Sequence, residues 1–309
     1  MTMRIVCVLI VTAGLFTSGH AFDLRPSVAD QLKIGREASA QIKKEEKVLP
    51  DTDPRVIWMR KIGKEYVEKY IPAAEKKKRP FEYTFDIIDS KEINAFALPG
   101  GPIFFYTGII DTFTTEDQFA GVLGHEITHI RNQHWASQYA DNLKRRLGLA
   151  VILTAIGAND DLWTVADVVD SGLFLLPYSR KHETEADKFG YDMVKQDGRN
   201  PMGMANVFTM LSGGKGGGYS EILATHPDPA KRAKAIEDRV KKETVTFPAQ
   251  RPLPFETLAM KNLKKAGTGT QPKLLSGTHV CWGCGHDDGH KASVFDAFVA
   301  QITEKKLGY

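Results

Sequence analysis

Apolar positions recur at helical spacing at the start of the chain. Val28, Leu32, Ile34, Ala38 and Ile42 predict a helix over residues 28–48, which Pro50, Asp51 and Pro54 end. Residues 56–71 predict a second amphipathic helix, with Ile57, Ile62, Tyr66 and Tyr70 along it. The basic run at 76–79 reads as a solvated turn. The period then falls to two. Phe81, Tyr83, Phe85 and Ile87 alternate with Glu82, Thr84 and Asp86, the pattern of a half-buried strand. Pro99-Gly100-Gly101-Pro102 is a turn signal and residues 103–110 a second strand, so the two strands are expected to form a core hairpin.

Helical spacing returns at Thr115, which forms a capping box with Gln118. Phe119, Val122, Leu123, Ile127 and Ile130 supply a buried stripe, and Gly121 and Gly124 leave room for close backbone packing. Residues 147–158 and 162–176 are apolar on most faces and are separated by a bend at Asn159-Asp160-Asp161. Each run is too short to cross a bilayer, so they read as a helical hairpin covering the preceding helix. A further helix runs to about Val194, and residues 202–211 predict another after the turn at 198–201. The glycine-rich stretch 213–218 lacks the Lys-Ser/Thr ending of a phosphate-binding loop. The expected architecture is α+β, mainly helical, with a small sheet over the helix that starts at the Thr115 capping box.

At 309 residues the chain can bury a sizeable core. Its 41 basic and 38 acidic residues leave a net charge of +3, which is no electrostatic footprint for nucleic acid. Residues 1–21 read as a secretory signal peptide: Arg4, a short apolar core over 5–16, and small residues at Gly19 and Ala21, near the cut. An uncleaved anchor is the alternative. Export places the mature chain in the periplasm or outside the cell, and peripheral contact with a membrane stays open. Arg251, Pro252 and Pro254 mark a compositional change, dividing the chain into a leader (1–21), a main domain (22–250) and a C-terminal extension (251–309).

The chemistry gathers at His125-Glu126-Ile127-Thr128-His129, an H-E-x-x-H sequence. Histidines four apart share a helix face and can grip one metal ion, and the glutamate beside them can take a proton from water. A third protein ligand is needed. The metzincin spacing would put it at position 135, where the chain has Trp135; His134 is one residue too early. Glu183 and Asp187, four apart on the later helix, fit better. Glu183 would bind the metal and Asp187 would hold the outer nitrogen of a ligand histidine. Glu185 has no such partner, since Phe189 lies four residues on.

Four stretches in this order resemble the zinc metallopeptidases that include the CAAX prenyl endopeptidases, the HtpX-type membrane proteases and the BepA-type periplasmic proteases. They are residues 94–108 (NAFALPGGPIFFYTG), 124–134 (GHEITHIRNQH), 179–190 (SRKHETEADKFG) and 225–232 (THPDPAKR). The resemblance implies a gluzincin-like fold, one catalytic Zn2+ held by His125, His129 and Glu183, and Glu126 as catalytic base. It also implies a role for His226 near the metal, as a resting ligand or a stabiliser of the oxyanion, and an edge strand on which an extended or unfolded protein substrate is paired. Envelope protein quality control follows from the same resemblance. A chaperone-like binding protein with a latent zinc site is the competing reading.

The extension carries Cys281, Cys284, His286 and His290, and Cys281 and Cys284 are the only cysteines left after the leader. In an oxidising compartment they form a disulfide; a second, structural metal site from all four side chains stays open beside it.

Overall fold

The structure is a computed structural model that describes residues 23–155, 178–213 and 220–265. The leader, the stretch 156–177 that completes the expected helical hairpin, most of the glycine-rich stretch and the Cys/His segment lie outside the described residues.

Helix α1 (Val28–Glu45) starts at a capping box between Ser27 and Asp30, and α2 (Pro54–Tyr70) starts at Asp53 with proline in its first turn. The inward face of α2 is Val56, Met59, Ile62 and Tyr66, whereas Ile57, expected in the apolar stripe, is 56% exposed. The basic run at 76–79 is solvated as expected, with Lys77 and Lys78 exposed, but it is helical and not a turn. It ends a short helix, α3 (Ala73–Lys78), which is tied down by Lys76 to Glu68 and by Arg79 and Arg131 to Glu75.

The sheet departs from the expected hairpin. Its order is β1 (Thr84–Ile88), β3 (Pro102–Tyr106), β2 (Ala95–Ala97). β1 pairs parallel with β3, and the antiparallel partner of β3 is the three-residue β2, joined through the turn at Gly100 and Gly101, both at positive φ. β1 is buried on both faces beyond Thr84. Asp86, expected outside, is 3% exposed and is neutralised by Lys43 and Arg60 at 2.5 and 2.7 Å. The second strand ends at Tyr106, where Ser90 O accepts from Thr107 Oγ1 and Gly108 N and turns the chain into α4 (Thr107–Ile110).

The two sheet edges differ. The outer edge of β1 is covered by residues 47–49, with Leu49 N donating to Ile87 O and Asp89 N to Lys47 O. β2 has no second partner strand among the described residues, and it packs on α5 (Glu116–Arg131). Behind α5 stand α7 (Arg180–Gln196) and α8 (Met202–Gly213), and α10 (Pro229–Lys242) packs on both. α6 (His134–Ala155) leaves from the end of α5, and α9 (Ser220–Thr225) precedes α10. The chain after Arg251 folds back onto the start of α5: Thr115 bridges to Pro252, Leu253 is buried, and Thr257 Oγ1 donates to Phe113 O before α11 (Leu258–Lys265).

Candidate metal centre

α5 opens on the expected capping box, with Thr115 Oγ1 accepting from Gln118 N and Gln118 Oε1 from Thr115 N. It is buried on all sides through its second half, not along one stripe, because the sheet, α7 and α8 surround it. α5 and α7 cross at Gly124 and Gly190. A Cβ on Gly190 would lie 3.0 Å from His125 N, so the glycine pair sets how closely α7 can bring its acids to the histidines.

That approach brings His125, His129, Glu183 and His226 together, each offering one ligand atom and all four atoms within 4.8 Å of one another. His125 Nε2 and His129 Nε2 are 2.9 Å apart, and His129 Nε2 is 3.3 Å from Glu183 Oε1. His226 joins from the loop between α9 and α10, where Asp228 takes a left-handed φ of 59° ahead of Pro229. Its Nδ1 lies 3.1 Å from Glu183 Oε1, and its Nε2 is 3.8 Å from Glu126 Oε1. Two imidazoles, a carboxylate and a further imidazole make a tetrahedral zinc donor set. Crowding these lone pairs together without a cation would be costly, and Glu126 Oε2 is buried with no hydrogen-bond partner among the described residues. Both observations fit a metal ion with a water beside it.

The electrostatics match. Burial lifts the carboxyl pKa of Glu126 above its usual range. Burial keeps the His129 ring neutral, well below the usual imidazole range. Glu183 goes the other way: burial would raise it, but His226 and Arg232 outweigh burial and hold it ionised well below the usual carboxyl range.

A family model described as Peptidase family M48 matches residues 60–240. The chain belongs to peptidase family M48. Members of this family use zinc. The chain is 28% identical over 221 residues to the mitochondrial metalloendopeptidase OMA1 of Schizosaccharomyces pombe (strain 972 / ATCC 24843), covering 69% of this chain and 63% of that protein. It is 30% identical over 161 residues to metalloprotease LoiP of Escherichia coli (strain K12), 50% of this chain and 62% of that one. The beta-barrel assembly-enhancing protease of the same organism is 27% identical over 187 residues, 55% and 37% of the two chains. The chain thus spans less than two thirds of the length of these relatives.

The M48 chain also places Asp187 where the sequence suggested, with Oδ1 2.9 Å from His125 Nδ1. Three neighbours of the cluster were not read as part of it. Arg232, 8% exposed, donates from Nε and Nη2 to both oxygens of Asp187 and reaches Glu183 Oε2 with Nη1 at 2.5 Å, under the Phe208 ring. Tyr178 stacks on the His129 ring at 3.8 Å. His134, one residue too early for the metzincin spacing, sits 3.0 Å from His129 Nδ1, and Glu185, which has Phe189 and no acid four residues on, meets both His134 and Asn132. No sequence spacing could have hinted at this, since the contact crosses between two helices.

Proposed function

We propose that the chain is an exported zinc metalloendopeptidase that hydrolyses peptide bonds in extended or misfolded proteins. The observation that carries this is the convergence of His125, His129 and Glu183 beside the partnerless, burial-shifted carboxyl of Glu126. Zinc, when bound by these three side chains, supplies Lewis acidity toward a peptide carbonyl and lowers the pKa of a water. Glu126 takes the proton of the attacking water and returns it to the leaving amine. Asp187 and Arg232 hold His125 and Glu183 in register. β2 packs on α5, so an extended chain running along the sheet there would lie beside the cluster, and backbone pairing would align a scissile bond without reading side chains.

Envelope quality control is the physiological role we favour. A beta-barrel assembly-enhancing protease among the relatives supports it, while the mitochondrial names put the family in a second compartment. Among the described residues no helix is long and apolar enough to cross a membrane.

One observation favours a latent variant of the same reading: His226 Nδ1 stands within the ligand group, as a fourth donor would. The test is zinc analysis and casein digestion by the mature protein. We expect about one zinc per chain from the donor group found among the described residues, and chelator-sensitive cleavage. His226→Ala should retain zinc and cleave faster if the loop is a latch, or slower if His226 stabilises the transition state. A protein that binds zinc, yet cleaves nothing with or without His226, would favour the chaperone-like alternative.

A further inference from the structure

His125 and His129 both turn Nε2 into the ligand group, so each carries its ring hydrogen on Nδ1, facing outward. For His125 that hydrogen meets Asp187. For His129 it meets no carboxylate among the described residues. Its Nδ1 lies 3.0 Å from Nδ1 of His134, which is 2% exposed. An N–H facing a ring nitrogen makes that nitrogen the acceptor, so His134 carries its own hydrogen on Nε2. That Nε2 is 3.4 Å from Glu185 Oε2, and Glu185 Oε1 accepts from Asn132 Nδ2 at 2.8 Å. The His134 ring is clamped by the parallel His182 ring, 4.6 Å away. Gln133, at a φ of 54°, makes the turn between α5 and α6 that swings His134 back over His129.

We propose that His134 and Glu185 form a second orienting arm of the metal centre, fixing the tautomer and ring angle of His129 as Asp187 does for His125. This is a positioning role and rests on His125, His129 and Glu183 being zinc ligands. The two arms are unequal. The His125 arm ends at once in a buried carboxylate locked by Arg232, whereas the His129 arm passes through a neutral imidazole to Glu185, whose side chain is 38% exposed. The arm running through His134 therefore orients strongly but adds less charge, and it connects a ligand of the buried centre to the surface of α7.

The test is zinc affinity by chelator competition on the purified full chain, with Co2+ absorption as the report on ligand geometry. His134→Phe should weaken zinc about ten- to a hundredfold, the usual loss for such a partner, and shift the cobalt spectrum. His134→Gln, whose amide both accepts and donates, should recover most of the affinity. Glu185→Ala, at a half-exposed position that does not threaten folding, should cost roughly tenfold or less. In the His134→Phe background it should cost nothing more, because the arm is already cut. A His134→Phe protein with wild-type affinity and spectrum would overturn the proposal, as would full additivity of the two substitutions. A wild-type protein that binds neither zinc nor cobalt would instead overturn the ligand assignment itself.

Discussion

α5 carries two buried carboxylates, Asp117 in its first turn and Glu126 nine residues later, 0% and 2% exposed. Their surroundings are opposite. Asp117 Oδ1 accepts from Asn200 N and Oδ2 from Arg251 N, both at 2.6 Å, and the helix N-terminus favours its charge. It thereby pins two distant loops to the start of α5. Glu126 has one oxygen 3.8 Å from His226 and the other without a partner. Burial alone does not separate a structural acid from a chemical one. The separation lies in whether the fold spends donors on it: both oxygens of Asp117 are bonded, whereas Glu126 Oε2 meets no donor among the described residues.

The largest expected effect falls on Glu126. Glu126→Gln should keep zinc and the fold but cut peptide cleavage by about 10²–10⁴-fold, the usual contribution of a positioned general base. Metal content and turnover on one preparation check this. A pure variant that still cleaves at the wild-type rate would remove Glu126 as the base.

Asp117→Ala should do the reverse. It leaves two partly buried backbone N–H groups without their charged acceptor, and each such bond is worth about 1.5–3 kcal/mol. Urea unfolding should show a loss of about 3–5 kcal/mol, while the activity per folded, zinc-loaded molecule stays near wild type. A cleavage defect without a stability defect would break the comparison.

Asp187 is the intermediate case, near the site yet fully paired. Asp187→Ala should weaken zinc about ten- to a hundredfold, whereas Glu183→Ala should lose it. Chelator competition separates the two. Equal losses would mean that Asp187 and Glu183 do the same job.

What the sequence disclosed follows from which contacts are local. His125, Glu126 and His129 share one helix, and so do Glu183 and Asp187, so spacing alone places each set on a face. The capping box was legible for the same reason. Asp117 was not, because its partners are backbone groups from residues 200 and 251, which leave no side-chain signature. Arg232 lay within a motif whose role seemed to belong to His226. The strand pairing failed because β2 is only Ala95-Phe96-Ala97, too short to show alternation, and because Asp86 mimics an outward position while its charge is met inside by Lys43 and Arg60.

The smallest expected effect is a change in stability with pH in the zinc-free protein, where the charge of Glu126 stands alone. Its folded-state pKa is raised by burial. A raised carboxyl favours folding while it holds its proton, so its contribution is fully present below the ordinary glutamate range, near pH 4.3, and is lost as pH climbs through the elevated folded value. Glu183 and Asp187 act in the opposite sense, since both are depressed and lose their stabilisation on acidification. They are present in wild type and variant alike, so the direction of the difference is set by Glu126. Glu126→Gln should therefore match wild type in acid and become the more stable of the two as pH rises, a difference that includes the loss of the Glu126 charge facing His226. Urea midpoints of both proteins between pH 4 and 8, with chelator present throughout, measure it. A difference that stays flat across that range would mean that Glu126 is satisfied in solution, and the contrast with Asp117 would then be one of position on the helix only.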